Sequence, residues 1–165
     1  MTPEIEISIE YAPWESMEDL AAIVNAAIKV TVENCGKRVA KNTEVSLLLC
    51  DDAKIKSMNR DWRGIDKPTN VLSFPTRGQL AQKPMLGDIA IAFETTRAEA
   101  LDESKSMRDH FSHLLVHGFL HLLAFDHETA SEADEMEAME RLVLNKLGIA
   151  DPYSGSVPLE GHSSR

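Results

Sequence analysis

Apolar and polar residues alternate through EIEISIEY, the period-two pattern of a strand with one buried face, over residues 5–11. From Ser16 or Met17 the period changes. Leu20, Ile23, Val24, Ala27, Ile28 and Val32 recur at three and four, which predicts an amphipathic helix ending near Gly36. VSLLLC is apolar at nearly every position and predicts a more deeply buried strand over 44–50. Asp51 or Asp52 can cap a short helix through Met58 that leads into the loop DWRGIDKPTN. NVLSF predicts a third strand stopped by Pro75, a polar loop runs to Met85, and DIAIAF predicts a fourth strand. Helical patterns then cover 94–102, 106–123 and 131–147, the last closed by Gly148. The order βαβαββααα implies an α+β fold, a small mixed four-stranded sheet flanked by about five helices, because apolar strand faces need a helical layer to bury them.

With 165 residues and 43% of them hydrophobic, the chain has enough for one domain with a proper core, over residues 1–149. The remainder, 150–165, has the Pro, Gly and Ser content of a disordered tail, and its His162 reads as incidental. No apolar run approaches the roughly 20 residues of a membrane span, and the acidic start MTPEIEIS lacks the basic and apolar parts of a signal peptide. A cytoplasmic protein with no membrane partner is expected. Cys35 and Cys50 are isolated and read as inert thiols.

A net charge of -10 argues against a generally basic nucleic-acid-binding surface. The charge is nevertheless segregated. Arg60, Arg63, Lys67, Arg77 and Lys83 face only Asp61 and Asp66 in their stretch, while residues 128–140 carry acids and no base. A phosphate-bearing ligand would go to the first stretch.

The chemistry concentrates in HLLVHGFLHLLAFDH, where His117, His121 and His127 form a His-x3-His-x5-His set. Helical residues four apart differ by about 40° in azimuth and roughly 6 Å along the axis, so His117 and His121 can converge on one ion. His127 joins them only if the chain turns back before Asp126. Three imidazoles leave a fourth position for water, the arrangement of a catalytic zinc site rather than a closed structural one. Zinc peptidases with two helical histidines at this spacing place Glu directly after the first, and here that position is Gly118. Glycine inside a helix costs about 1 kcal/mol against alanine, which suggests a close approach by a neighbouring strand or a substrate. His110 and His113 extend the stripe, with a supporting role at the metal, a substrate-facing role and a solvated helix face all open. Phe111, Leu115, Phe119 and Leu122 take other azimuths and can pack inward.

With the loop and the helix both in view, the sequence resembles the YbeY family of zinc-dependent, single-strand endoribonucleases that mature bacterial ribosomal RNA. RGIDKPTNVLSFP, residues 63–75, matches the family's Arg-Gly-x-x-x-x-Thr-Asn-Val-Leu-Ser-Phe-Pro block, and HGFLHLLAFDH, residues 117–127, its His-Gly-x-Leu-His-Leu-x-Gly-Tyr-Asp-His block. The step Leu86-Gly87-Asp88-Ile89 also fits. The resemblance implies metal ligation by His117, His121 and His127, a functional arginine at Arg63, and a mixed sheet flanked by helices. It also implies a role in 3'-end maturation of small-subunit rRNA and ribosome quality control, with the small subunit, 70S particles or assembly factors as partners. Two positions depart from the pattern: Ala124 stands for the usual glycine and Phe125 for the usual tyrosine. A left-handed residue at the helix end would cost alanine on the order of 1 kcal/mol, so either that cost is absorbed or the helix ends another way.

The expected reaction is hydrolysis of single-stranded RNA around one Zn2+, with Arg63 and His117 as the catalytic residues and Arg63, Lys67 and His113 toward the substrate. Arg63 would meet the charge on the phosphate. With no Glu after His117, three routes stay open: hydroxide on the ion as general base, a histidine such as His113 as general base, or the RNA 2'-hydroxyl attacking the adjacent phosphate. Two rivals remain: another zinc hydrolase, peptidase or phosphatase, and a ribosome-assembly binding factor whose metal is structural.

Overall fold

Strand residues of one parity build a large core and those of the other a small one, and helices cover both. The computed structural model describes residues 2–153. Its elements are β1 (Glu4–Ile9), α1 (Leu20–Asn34), β2 (Glu44–Cys50), α2 (Asp52–Arg63), β3 (Val71–Pro75), β4 (Met85–Ala92), α3 (Phe93–Asp102), α4 (Met107–Leu122) and α5 (Ala130–Lys146). The sheet runs β1-β2-β4-β3, with β1, β2 and β4 parallel and β3 antiparallel to β4. This is the α+β fold with a mixed four-stranded sheet and five α-helices that the hydrophobic pattern implies.

Val45, Leu47, Leu49, Val71, Ile89 and Ile91 join α1, α4 and α5 in the large core. Cys50, Leu72, Ala90 and Ala92 point the other way and meet Ile55 of α2. Period-two alternation sends neighbouring strand residues to opposite faces, so consecutive pairs such as Val71 and Leu72 serve different cores. Trp14 is fully buried, donates its indole N–H to the Cys50 carbonyl at 2.9 Å and stands edge-on to Phe93.

Helix α4 is the central post of the large core. Ser106 caps it by accepting from the Asp109 N–H. Phe111, Leu115, Phe119 and Leu122 are buried as expected, and so are Leu114, Val116 and Leu120 on other azimuths. The helix is enclosed all round, so a solvated face for its histidines is ruled out.

Several boundaries differ from the sequence expectation. β1 stops at Ile9, and residues 12–16, opened by Pro13, form a 3-10 turn before α1 begins at Leu20. α2 runs past Met58 to Arg63, because its stop is Gly64 in a left-handed conformation (φ 73°) rather than the end of the apolar pattern. The loop before β4 contains a short 3-10 turn, Leu80–Gln82. α5 opens on a capping box in which Thr129 and Glu132 satisfy each other's backbone N–H groups. The packed chain also passes the expected limit at residue 149: the Tyr153 ring lies against His113, and Arg141 pairs with Asp151 at 3.4 Å. The rest of the expected tail, with His162, lies outside the described residues.

Candidate metal centre

Gly118 sets the depth at which α4 sits on the sheet. A Cβ there would lie 3.0 Å from Ser73 Oγ and 3.2 Å from the Val71 and Ile89 methyls, and Ser73 Oγ donates to the Gly118 carbonyl at 2.9 Å. The close neighbour is a strand, so glycine here serves packing.

The turn after α4 then brings His127 back. Leu123 ends the helix and Ala124 takes a left-handed conformation at φ 70°. The Ala124 N–H donates to the His121 carbonyl at 3.1 Å and the Phe125 N–H to the Leu120 carbonyl at 3.0 Å, the two bonds of a Schellman motif. The strain expected of alanine is therefore present. It is offset by what the turn gains: Phe125 is buried, and Lys37 donates to the Leu123 carbonyl at 2.9 Å with its ammonium 4.1 Å from the centre of the Phe125 ring.

His117, His121 and His127 converge, with one ring nitrogen from each lying within 4.8 Å of the others. Two rings have their tautomers set by their other nitrogen. His121 Nδ1 lies 3.1 Å from the Phe125 carbonyl, which can only accept, so Nδ1 carries the proton and Nε2 a lone pair. That Nε2 is buried with no hydrogen-bond partner among the described residues. An orphaned buried acceptor facing two more imidazoles is what a divalent cation would satisfy, and the residues present fit one. His117 Nδ1 lies 3.3 Å from both oxygens of Glu140, which directs its Nε2 the other way. Burial, then the nearby His117 and His127 rings, push His121 down to about 3, so it is neutral and competent as a ligand near pH 7.

Glu140 was not visible as a site residue in the sequence. It is fully buried and accepts from His113 Nε2 at 3.2 Å, from His117, and from the Tyr153 hydroxyl at 2.8 and 2.9 Å. Burial works to raise this carboxyl, but His117 and His113 outweigh it and hold it below the usual carboxylate range. Burial and the adjacent Glu140 push the Tyr153 hydroxyl up, so it stays protonated and donates. A signal for Glu140 exists: it falls between Met136 and Val143 and Leu144 on the apolar stripe of α5, where a lone acid is out of place.

The other expected site residues lie as follows. His113 is buried behind His117 under Tyr153 and Glu140, and burial pushes its pKa down. Its expected contact with substrate is corrected to a supporting position, since no polymer reaches an enclosed ring. His110, also enclosed, bonds Glu99 at 2.8 Å, and Glu99 in turn accepts from Asn70 at 3.0 Å at the start of β3. Arg63 ends α2, half-buried, and Lys67 is exposed in the loop to β3, its carbonyl held by Asn59 at 3.0 Å. Neither lines the cavity of about 470 Å³ beside His117 and His127, which is walled by Glu128, Glu137, Glu140 and Tyr153. Of the basic stretch, Lys83 is buried on the Thr76 carbonyl at 2.6 Å and Arg60 pairs with Asp61 at 3.0 Å, so Lys83 is withdrawn from any ligand. Among the described residues no helix is long and apolar enough to cross a membrane.

Comparison with known proteins identifies the architecture. The family model described as endoribonuclease YbeY matches residues 6–148. Proteins named endoribonuclease YbeY from Methylocella silvestris and Beijerinckia indica are each 52% identical, over 93% and 96% of this chain and 87% and 81% of their own. One from Azorhizobium caulinodans is 47% identical over 96% of this chain and 99% of its own. A solution structure from Thermotoga maritima shares the fold with a TM-score of 0.56 and 21% identity, over 93% of this chain and 97% of that one. The chain belongs to the endoribonuclease YbeY family.

Proposed function

We propose that this member of the endoribonuclease YbeY family cleaves single-stranded RNA at a zinc centre held by His117, His121 and His127, and that it acts in the cytoplasm on the 3' end of small-subunit ribosomal RNA. The observation that carries the reading is the orphaned, buried Nε2 of His121 aimed among the other two imidazoles. Three imidazoles with an open fourth position suit zinc among the common divalent ions. When bound, the cation supplies Lewis-acid stabilisation of charge growing on a phosphate.

The protein's own residues do the rest. The Phe125 carbonyl holds the proton of His121 on its outer nitrogen, so that ring need not reorganise to bind. Arg63, with a planar guanidinium charged at all working pH values, pairs with the phosphate of the scissile link, and Lys67 meets a neighbouring one. The acids Glu128 and Glu137 beside His127 repel a polyanion on the α5 side, so the strand is directed away from that helix. His113 is withdrawn as general base because its Nε2 is committed to Glu140. Ribosomal small subunits or 70S particles, with their assembly factors, are the expected partners.

The test is cleavage of a labelled single-stranded RNA in zinc by wild type, His117→Ala and Arg63→Glu, each rigorously purified. Both variants should lose on the order of 100-fold or more in rate. Equal cleavage by all three would mean a contaminating nuclease and would sink the reading.

A further inference from the structure

Buried carboxylates are expensive. Desolvating one costs several kcal/mol unless its lone pairs are satisfied, and an apolar residue of similar volume is often the more stable choice. Glu140 occupies a position on the apolar stripe of α5 where the fold alone calls for such a residue. Its carboxylate instead gathers three donors from two parts of the chain: His113 and His117 of α4, on successive turns of one face, and Tyr153 beyond the end of α5. The contacts to His117 are equal, 3.3 Å to each oxygen, and the Tyr153 hydroxyl spans the same two oxygens at 2.8 and 2.9 Å. Tyr153 is itself held in place: its ring lies edge-on to His113 at 5.7 Å, Arg141 stacks over it at 5.2 Å, and its N–H donates to Asp151.

We propose that Glu140 is a positioning residue of the metal centre, which fixes the His117 ring with Nε2 toward the ion, and that Tyr153 closes this support by locking the carboxylate from outside. The proposal rests on the zinc reading above and assigns residues that reading does not need. It follows from the donor count. A carboxylate can accept from all three partners at once, whereas an amide offers one oxygen and would turn an NH2 group toward a ring N–H or the phenol. Any such mismatch is relieved most directly by moving the proton of a histidine to its other nitrogen, and in His117 that takes away the lone pair meant for the cation. His113 is the second strut of the arrangement. Its enclosed ring gives a second hydrogen bond to the same carboxylate from one turn earlier on α4.

The test uses zinc itself, titrated into the full-length protein against a chromophoric chelator, with nitrogen NMR of the imidazoles to read which ring atom carries the proton. Glu140→Gln should bind zinc about 10- to 100-fold more weakly than wild type, the usual cost of losing such a partner. Tyr153→Phe should lose about fivefold or less, since it removes one hydrogen bond from a carboxylate that keeps its other two. In the zinc-loaded wild type the His117 proton should sit on Nδ1. Wild-type zinc affinity in a folded Glu140→Gln protein would overturn the proposal, as would a His117 proton on Nε2. That second reading needs no variant and so stands even if Glu140→Gln fails to fold. A wild type that takes up no zinc would overturn the metal reading itself, a result distinct from zinc bound equally by both proteins.

Discussion

His117 and His121 stand in a helix enclosed on every side, each with its outer nitrogen engaged, whereas His127 is carried by a turn whose pivot, Ala124, is exposed and left-handed. The helix wall is part of the core: removing a ligand there also removes packing and a buried hydrogen bond. The turn is an attachment to the core, anchored by Phe125 and Lys37. A single centre is thus assembled from a part that the fold requires and a part that it only tolerates.

The strongest way to break this contrast is to remove one ligand from each side. His121→Ala and His127→Ala should both weaken zinc binding by more than about 100-fold, beyond what loss of a supporting group costs. Their metal-free stabilities should differ. His121→Ala leaves a cavity and an unsatisfied Phe125 carbonyl and should cost about 2 kcal/mol or more, against less than about 1 kcal/mol for His127→Ala. Urea unfolding of the metal-free proteins separates them, and equal losses would erase the distinction.

Opposite glycine and alanine exchanges sharpen it. Gly118→Ala gains about 1 kcal/mol of helix propensity but forces a methyl against Ser73, Val71 and Ile89, an overpacking worth about 1–3 kcal/mol, so a net loss of stability is expected. Ala124→Gly works at an exposed site where left-handed backbone strains alanine, and should raise the melting temperature through a gain of up to about 1 kcal/mol. A stabilising Gly118→Ala or a destabilising Ala124→Gly would reverse the assignment of which part is crowded and which is strained.

The same division explains what the sequence discloses. The convergence of His117, His121 and His127, with the chain turning back before Asp126, is legible because helical spacing and one short turn fix it locally. Their supports are not. Glu140 and Tyr153 approach from α5 and beyond it, and Lys37 reaches Leu123 from just past α1; only the tertiary fold brings these residues to the histidines. Glu140 left one trace, an acid on an apolar stripe, and Tyr153 none, since Pro, Gly and Ser around it read as a tail. The strands were legible from the alternation of EIEISIEY and the apolar runs that follow it, but α2 was cut short at Met58 because its last turn is polar and only Gly64 marks its end. His113 was placed toward substrate because its stripe on α4 looked like one wall of a cleft, whereas α5 and Tyr153 close over it.

The spread of those supports along the chain bears on synthesis. A growing polypeptide carries all three imidazoles once residue 127 has been added, with Lys37 already waiting for Leu123, yet the carboxylate that orients His117 and the phenol that locks it are still to come. A single domain generally folds as a unit, once its contacts can all be made. The support of His117 is therefore complete only once residue 153 has been added, so that a chain stopped between 127 and 153 would carry its three histidines without the carboxylate and phenol that order them.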